Sequence, residues 1–399
     1  MTMKLTRLPS LASDYSGACS VLYAMQALTL LYSPGGCSSA IIECDEIRDL
    51  RQTLFFCSKL GELEAVMGAA DEFLLQAQTL CAHNRQTEFT AIIGTPVPAL
   101  TGIDIGAVAD ELSRQTGLPA MAFSTEGFKD YYSGVHQTLL ELGKHFLEKR
   151  EKKNNQVNII GYTPLSLGSP AHLIELMNEL EACGLTINGS PLAKMNLGDF
   201  KNMSAAALNI VVSHEGAGLA QYMQQEYAIP YVLHVPIGLW GMRRLFKTLE
   251  AVTDISFGHI SWNQYAQTGK ALSARRVVVI GEPLFASCMA ACLQNDFWLA
   301  SVEPVSLIKT DRRMKSVYQE ESLSGVRFFT CEHSLAQWLG EGQPDIVIGD
   351  PLYQTLVRQK NIQYVPLPHV GLSGSMHADL NYEFIGKKGY DYLAGFIGL

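Results

Sequence analysis

Four short apolar runs in this chain each stop at a glycine: Phe89 to Ile93 before Gly94, Val157 to Ile160 before Gly161, Val277 to Ile280 before Gly281, and Asp345 to Ile348 before Gly349. A proline follows within three residues each time, at Pro96, Pro164, Pro283 and Pro351. A run that is apolar throughout, rather than alternating, suits a strand buried on both faces, as in a parallel sheet. Proline shortly after the glycine turns the chain and opens a helix, because its φ is already helical and it has no N–H to leave unpaired. Strand, sharp turn, helix, repeated, restricts the fold to α/β: parallel sheets flanked by helices.

The unit recurs in three segments. In the first, Ile105, Val108 and Leu112 share a helical face that Gly117 ends, Pro119 to Phe123 reads as a strand, and Phe128, Tyr132, Val135, Leu139 and Leu142 return at helical spacing. Ahead of these, Ala18 to Leu30 reads as a helix. In the second, Ser169 and Pro170 supply an N-cap and first turn, Leu173, Leu176, Met177 and Leu180 form an apolar stripe, and Leu208 to Val212 and Pro230 to Val235 are strands, followed by a helix over Met242 to Val252. In the third, Phe297 to Val302 and Tyr364 to Pro366 add strands, and the residues from Gly371 on form a tail with one short helix. The expected architecture is three Rossmann-like domains around a central cleft, over residues 1–152, 153–272 and 273–399, with the polar run Glu148 to Asn155 at the first boundary.

At 399 residues the chain is too long for one ordinary core, which agrees with several domains. A net charge of −9 argues against a nucleic-acid partner, which would select a basic patch. The basic run Lys144 to Lys153 is broken by Glu148 and Glu151 and reads as a solvated helix end. No apolar stretch reaches the roughly 20 residues of a membrane span. Val21 to Leu31 follows no basic segment and makes a poor signal peptide. The expected location is therefore cytoplasmic, where the nine cysteines are core residues or ligands rather than disulfides.

Parallel sheets collect functional residues at the carboxyl ends of their strands. Those ends carry Ser213, His214 and Glu215, then Glu282 after Gly281, and Asp350 after Gly349. The three carboxyls are candidate proton donors, and equally candidate caps of the helices that follow them. Cys37 follows Gly35-Gly36, where backbone without side chains lets a bulky ligand approach. Cys44 and Cys57 flank it in sequence. Cys81 and Cys183 end apolar stripes. Cys288 and Cys292 lie four apart on one helix face, among Leu284, Phe285, Ala291 and Leu293, which favours packing over metal. A P-loop is absent, and Gly216-Ala217-Gly218 lacks the third glycine of a dinucleotide fingerprint, so a nucleotide-driven step belongs to a partner.

In order and spacing, Tyr32 to Cys37, Thr53 to Phe56, Gly94-Thr95-Pro96 through Ile105, Val157 to Gly161, Ile229 through Gly238, Gly281-Glu282-Pro283, Asp345 to Gly349 and Tyr382 to Gly395 together resemble the nitrogenase component 1 family. That group includes nitrogenase subunits, a cofactor-assembly scaffold, protochlorophyllide reductase and nickel-sirohydrochlorin reductive cyclase. The resemblance implies an oxidoreductase component that is a homodimer or a heterodimer with a related subunit. It implies an iron–sulfur cluster, [4Fe-4S], at the subunit interface, with electrons delivered by an ATP-hydrolysing iron–sulfur reductase. It also implies a second metallocluster or a tetrapyrrole between the domains.

Carried over residue by residue, Cys37, beside Gly36, falls on a cluster-ligand position. Thr95 stands where a further thiolate is expected, and Asp14 or Cys19 falls near the remaining one. Cys37 and Cys19 from each of two chains would reach the usual four thiolates. Ser213 stands at the family's middle-domain cysteine, beside His214, and hydroxyl is a poor ligand for a soft metal. His369 lies near the level of a cofactor histidine. A non-catalytic relative, acting as a scaffold or ligand-binding protein that has lost cluster ligands, is the alternative. A two-lobed metal- or siderophore-binding protein is a third.

Overall fold

The computed structural model describes residues 12–41, 54–189, 195–253, 273–308, 325–357, 361–374 and 382–397. Cys44 and Thr53 lie outside them. The described elements form an α/β protein of three parallel sheets flanked by helices.

In the first unit the order is α1 (Asp14–Tyr23), β1 (Ala27–Tyr32), α2 (Gly35–Ala40), β2 (Leu54–Cys57), α3 (Glu62–Met67), α4 (Ala70–His83), β3 (Phe89–Gly94), α5 (Pro96–Thr101), α6 (Ile105–Thr116), β4 (Ala120–Phe123) and α7 (Tyr131–Phe146). The sheet order is β2-β1-β3-β4, parallel throughout. Where a helix was expected over Ala18 to Leu30, the chain instead leaves α1 at Tyr23 and enters β1, an inner strand of the sheet. All six β1 residues are buried, so the run carries no alternation to betray it. Apolar periodicity alone does not separate such a strand from a buried helix. Alternate β1 residues feed two cores: Ala27 and Leu31 one, and Leu28, Leu30 and Tyr32 the other, which α4 and α6 close with Phe73, Val108 and Leu112. Phe128 precedes α7 and is exposed.

Helices α1 and α7 cross closely because glycines meet at the contact. A Cβ on Gly17 would run into the Tyr131 carbonyl, and one on Gly134 into the Asp14 carbonyl. This crossing sets the start of α1 against the loop before α7.

The second unit holds β5 (Lys153–Ile160), α8 (Pro164–Leu167), a 3₁₀ turn (Pro170–Leu173) capped by Ser169, α9 (Ile174–Ala182), β6 (Thr186–Ile187), α10 (Leu197–Asn202), β7 (Ala206–Val211), a turn at His214–Gly216, α11 (Ala217–Tyr227), β8 (Tyr231–Leu233) and α12 (Gly238–Thr253). Its order is β6-β5-β7-β8. The third has β9 (Ser273–Ile280), α13 (Pro283–Asp296), β10 (Leu299–Ser306), β11 (Arg327–Phe328), α14 (Glu332–Gly342), β12 (Ile346–Gly349), a turn at Pro351–Leu356, β13 (Gln363–Pro366) and α15 (Val370–Ser373), ordered β11-β10-β9-β12-β13. The tail helix α16 (Gly386–Ile397) joins the second and third units: Gly386 N–H donates to the Pro236 carbonyl of the second, and Tyr392 Oη donates to the Pro366 carbonyl of β13 in the third at 2.8 Å.

One continuous apolar core joins the three units, taking in Leu31 and Ile93 of the first, Ile160 and Val211 of the second, and Val277 and Ile348 of the third. The carboxyl ends of β5, β7, β9 and β12 therefore converge on common ground, and helix α7 reaches it from the first unit: Tyr131 Oη lies 2.6 Å from Thr163 Oγ1.

Candidate functional site

Two regions gather the chemistry-bearing residues. The first is the rim at the carboxyl ends of β1, β2 and β3. Cys37 sits in the first turn of α2, half-buried, and Cys57 is the last residue of β2. They are near neighbours: burial is the main reason the Cys37 thiol is pushed up, the Cys57 sulfur adds to it, and a hydrogen bond from Thr95 opposes it. Ser33 Oγ is 3.1 Å from Cys57 Sγ, and the Lys59 N–H points at the same sulfur from 3.4 Å. Lys59 holds φ at +50° to make that turn, a left-handed conformation that a side-chain-bearing residue adopts only under constraint. Gly36 is exposed, and a Cβ added there would meet none of the described residues within 4 Å.

Thr95 Oγ1 donates to the Tyr32 carbonyl at 3.0 Å, tying β3 to β1 under the thiols. Asp14 stands at the rim too, but its carboxylate is occupied. It accepts N–H bonds from Tyr15 at 2.9 Å, Glu126 at 3.0 Å and Gly127 at 2.7 Å, and burial still pushes its carboxyl up. Cys19 lies further down α1, 2% exposed within the main core. Among the described residues, no three His, Cys, Asp or Glu side chains of one chain are grouped so as to hold a metal ion.

The rim is apolar outside. Leu63, Val66 and Met67 of α3 are 71%, 73% and 76% exposed, and α3 buries none of its residues. Leu100 of α5 and Phe128 continue the same edge. Large exposed apolar residues crowded around one edge mark an interaction surface.

The second region is a cavity between the second and third units with about 500 Å³ of empty space, part of it open to solvent. Its walls include Leu167, Phe285, Leu367, Leu372 and Phe384, and the described residues that line it include no cysteine, lysine or arginine. Three carboxyls reach it. Glu215 is 0% exposed, and Ser166 Oγ donates to its Oε1 at 2.5 Å. Glu282 caps α13, accepting from the N–H groups of Leu284 and Phe285 at 2.9 and 2.8 Å. Asp350 accepts from Leu352 N–H at 2.8 Å, His369 N–H at 2.7 Å and Ser373 Oγ at 2.9 Å. The capping role expected of strand-end carboxyls is present, and at Glu282 it coexists with an ion pair.

That pair is made by His214. Its Nδ1 lies 2.7 Å from Glu282 Oε1 and 3.1 Å from Glu215 Oε2, with the imidazole 2% exposed. Burial alone would pull this histidine down, but the two carboxylates carry it up to about 10. Burial would likewise raise Glu215, yet His214 and Ser166 hold it at about 2. The second and third units are thus bridged by a buried imidazolium between carboxylates. Tyr132 of α7 closes the assembly: its ring packs 5.0 Å from His214 and 5.3 Å from His369, and its hydroxyl is 3.3 Å from His369 Nε2. Burial lowers His369, against the pull of the Glu215, Asp350 and Glu282 carboxyls. Ser213 Oγ is spent on the Gly161 carbonyl at 2.7 Å.

The structure thus brings His214, Glu215, Glu282, Asp350 and His369 together, and places Cys37 beside Cys57 rather than beside Cys19. Tyr132 and Ser166 had no signal of their own in sequence. Cys288 and Cys292 are buried in the core, with burial pushing Cys288 up to about 12, as packing residues should be.

Residues 13–394 match the family model for nitrogenase component 1 type oxidoreductases, and the chain belongs to that family. It is 22% identical over 347 residues to one of the subunits of the light-independent protochlorophyllide reductase of Pelodictyon phaeoclathratiforme, covering 78% of this chain and 63% of that protein. It is 30% identical over 167 residues to the nitrogenase molybdenum-iron protein alpha chain of Clostridium pasteurianum, covering 39% of this chain and 29% of that one. The chain thus spans less than two thirds of these curated relatives. A solved structure titled "Nitrogenase Cp1 at pH 6.5" superposes with a TM-score of 0.75 at 15% identity, over 100% of this chain and 93% of its own, which establishes a shared fold. Among the described residues, no helix is long and apolar enough to cross a membrane.

Proposed function

We propose that this chain is the electron-accepting component of a nitrogenase-like reductase. Cys37 and Cys57 would hold an iron–sulfur cluster at the first-sheet rim, which would supply one-electron chemistry between an ATP-hydrolysing iron–sulfur reductase and a substrate held in the central cavity. The observation that carries the reading is the approach of Cys37 and Cys57 at the carboxyl ends of the adjacent strands β1 and β2, with Gly36 exposed beside them. Two thiols per chain are half of what a [4Fe-4S] cluster normally takes, so a second copy or a related subunit supplies the rest, docked on the apolar edge of α3 and α5. Cys57 takes the place expected of Cys19, whose sulfur is enclosed in the core. Asp14 anchors α1 rather than ligating, since its oxygens already accept three N–H bonds. The cluster would supply one-electron chemistry. The chain's own residues would enclose it, orient the partner and tune it through hydrogen bonds to sulfur from Ser33 and Lys59.

Thr95, a hydroxyl where a third thiolate is expected, favours the second reading, a scaffold with a depleted ligand set. Absorbance and electron paramagnetic resonance of anaerobically purified protein separate the two. Broad absorbance that bleaches on reduction, with a paramagnetic signal appearing, supports the redox reading. A colourless, sulfide-free protein overturns it.

A further inference from the structure

Behind the wall of the central cavity stands a buried histidine. His172, 5% exposed, lies in the 3₁₀ turn that follows α8. Its Nδ1 is 2.7 Å from the Leu167 carbonyl oxygen, and its Nε2 is 3.1 Å from the Tyr382 carbonyl oxygen. A carbonyl oxygen only accepts, and a neutral imidazole carries one N–H and one bare lone pair. Either neutral tautomer therefore sets a lone pair against an oxygen, and the imidazolium alone makes both bonds. A counter-charge is at hand, since Glu383 Oε2 lies 3.7 Å from Nε2. Gly168, at φ +74°, lets these groups close in: a Cβ there would come 2.9 Å from His172 Cε1 and would run into the Tyr382 hydroxyl.

Both carbonyls belong to residues of the cavity wall. Leu167 ends α8, and Tyr382 begins a strap, residues 382–385, that leads into α16. Leu167, Tyr382 and Phe384 all line the cavity. The His172 ring meets Tyr382 edge-on at 5.1 Å and Phe384 at 4.8 Å. At its other end the strap is tied by backbone: Gly238 N–H donates to the Phe384 carbonyl at 3.0 Å and Gly386 N–H to the Pro236 carbonyl at 3.1 Å. We propose that His172 is a proton-operated clasp on the wall of the central cavity. Carrying both protons, it ties the strap to α8 and holds the aromatic wall closed. Losing one, it cuts one of its two ties, and the strap loosens at the Tyr382 end. Imidazole changes charge near neutral pH, so the clasp is complete on the acid side and fades as pH rises. Of the titratable groups on the elements packed here, Glu383 and Tyr382 of the strap face the ring. Tyr162 donates to the Gly168 carbonyl at 3.0 Å, Glu175 of α9 accepts the Lys387 N–H at 2.8 Å, and Lys387 turns its Nζ to Asp391 at 2.7 Å.

The clasp stands on the geometry of the ring, and only its meaning as control of substrate access rests on the cavity being the substrate site. Hydrogen–deuterium exchange read by mass spectrometry follows the strap over residues 382–389, with β12 as the internal reference for opening of the whole fold. Between about pH 5.5 and about pH 8.5, after correction for intrinsic rates, protection of the strap relative to β12 is expected to fall about tenfold in the wild type. His172→Phe keeps an aromatic ring and removes both N–H groups. Its strap is expected to exchange about tenfold faster than wild type at the acid pH and to lose the pH dependence. Relative protection that is unchanged across this range in the wild type, or that falls equally in the variant, overturns the proposal. Nitrogen NMR of histidine-labelled wild type reads the ring directly, whether or not the variant folds. Two protonated ring nitrogens on His172 at about pH 5.5 support the clasp, and one bare nitrogen there overturns it. Neither readout depends on iron. Iron-free protein with a pH-dependent strap sinks the redox reading and leaves the clasp standing, and iron-loaded protein with a pH-independent strap does the reverse.

Discussion

The first-sheet rim and the central cavity are both built from strand ends, yet they hold opposite chemistry. The rim has two thiols, hydroxyls and backbone N–H groups, framed by exposed leucine, valine, methionine and phenylalanine. The cavity has carboxyls and an imidazole, no described thiol, and is partly open to solvent. The rim's groups are half-buried and half-provided, as in a site completed by another protomer. The cavity's groups are buried, and nearly all are paired within one chain, as in a site complete in itself. One fold thus separates an exposed, thiol-bearing rim from an inner cavity lined by carboxyls.

The largest expected effect falls on the cavity. His214→Leu leaves Glu215 and Glu282 facing each other in the core, and removing one partner of a buried ion pair costs about 3–5 kcal/mol. Urea unfolding measures it, and a loss under about 1 kcal/mol, the scale of an exposed pair, would show the cluster to be solvated. The same group sets a pH signature. His214 keeps its proton to about 10 when folded against 6.5 ordinarily, so its contribution is complete below pH 6.5 and fades as pH rises toward 10. Glu215 falls to about 2 from 4.5, so its contribution is complete above pH 4.5 and fades as pH falls toward 2. The cluster therefore stabilises most between these ordinary values, and His214→Leu should flatten the alkaline decline. An unchanged alkaline slope in the variant would contradict the ion pair.

At the rim the expected effect is on association rather than folding. Met67→Asp alters a side chain 76% exposed in the single chain, so its unfolding midpoint should hold. Burying such a side chain contributes about 1.5–3 kcal/mol, so association should weaken about tenfold or more. Sedimentation velocity reads it, and an unchanged association constant would move the partner surface elsewhere.

Asp14→Asn sharpens the comparison further. Exchanging charged acceptors for a neutral amide should cost about 1 kcal/mol of stability. Iron content should not change, and a loss of iron without a loss of stability would make Asp14 a ligand after all.

Much of the fold was legible because glycine and proline mark where strands end and helices begin. Gly117, expected to stop α6, does so with φ at +69°, and the run expected over Asp345 to Ile348 emerges as β12, Ile346–Gly349, with every residue of the strand buried. The run from Ala27 to Tyr32 was not legible, since a strand buried on both faces carries no period, and missing it hid the register that brings Cys57 level with Leu31. The cavity was half legible. Strand-end carboxyls announced themselves by position, but Tyr132 and Ser166 reach the site only through α7 and α8, from faces whose spacing signals packing.

The central claim is that Cys37 and Cys57 together hold iron between two protomers. Iron and acid-labile sulfide, measured on anaerobically purified wild type beside Cys37→Ala, Cys57→Ala and Cys19→Ala, test it most directly. The account predicts on the order of two irons per chain in wild type, the share of a four-iron cluster held by two chains, nearly complete loss in the first two variants, and retention in Cys19→Ala. Iron that survives both Cys37→Ala and Cys57→Ala, or disappears only with Cys19→Ala, would contradict it.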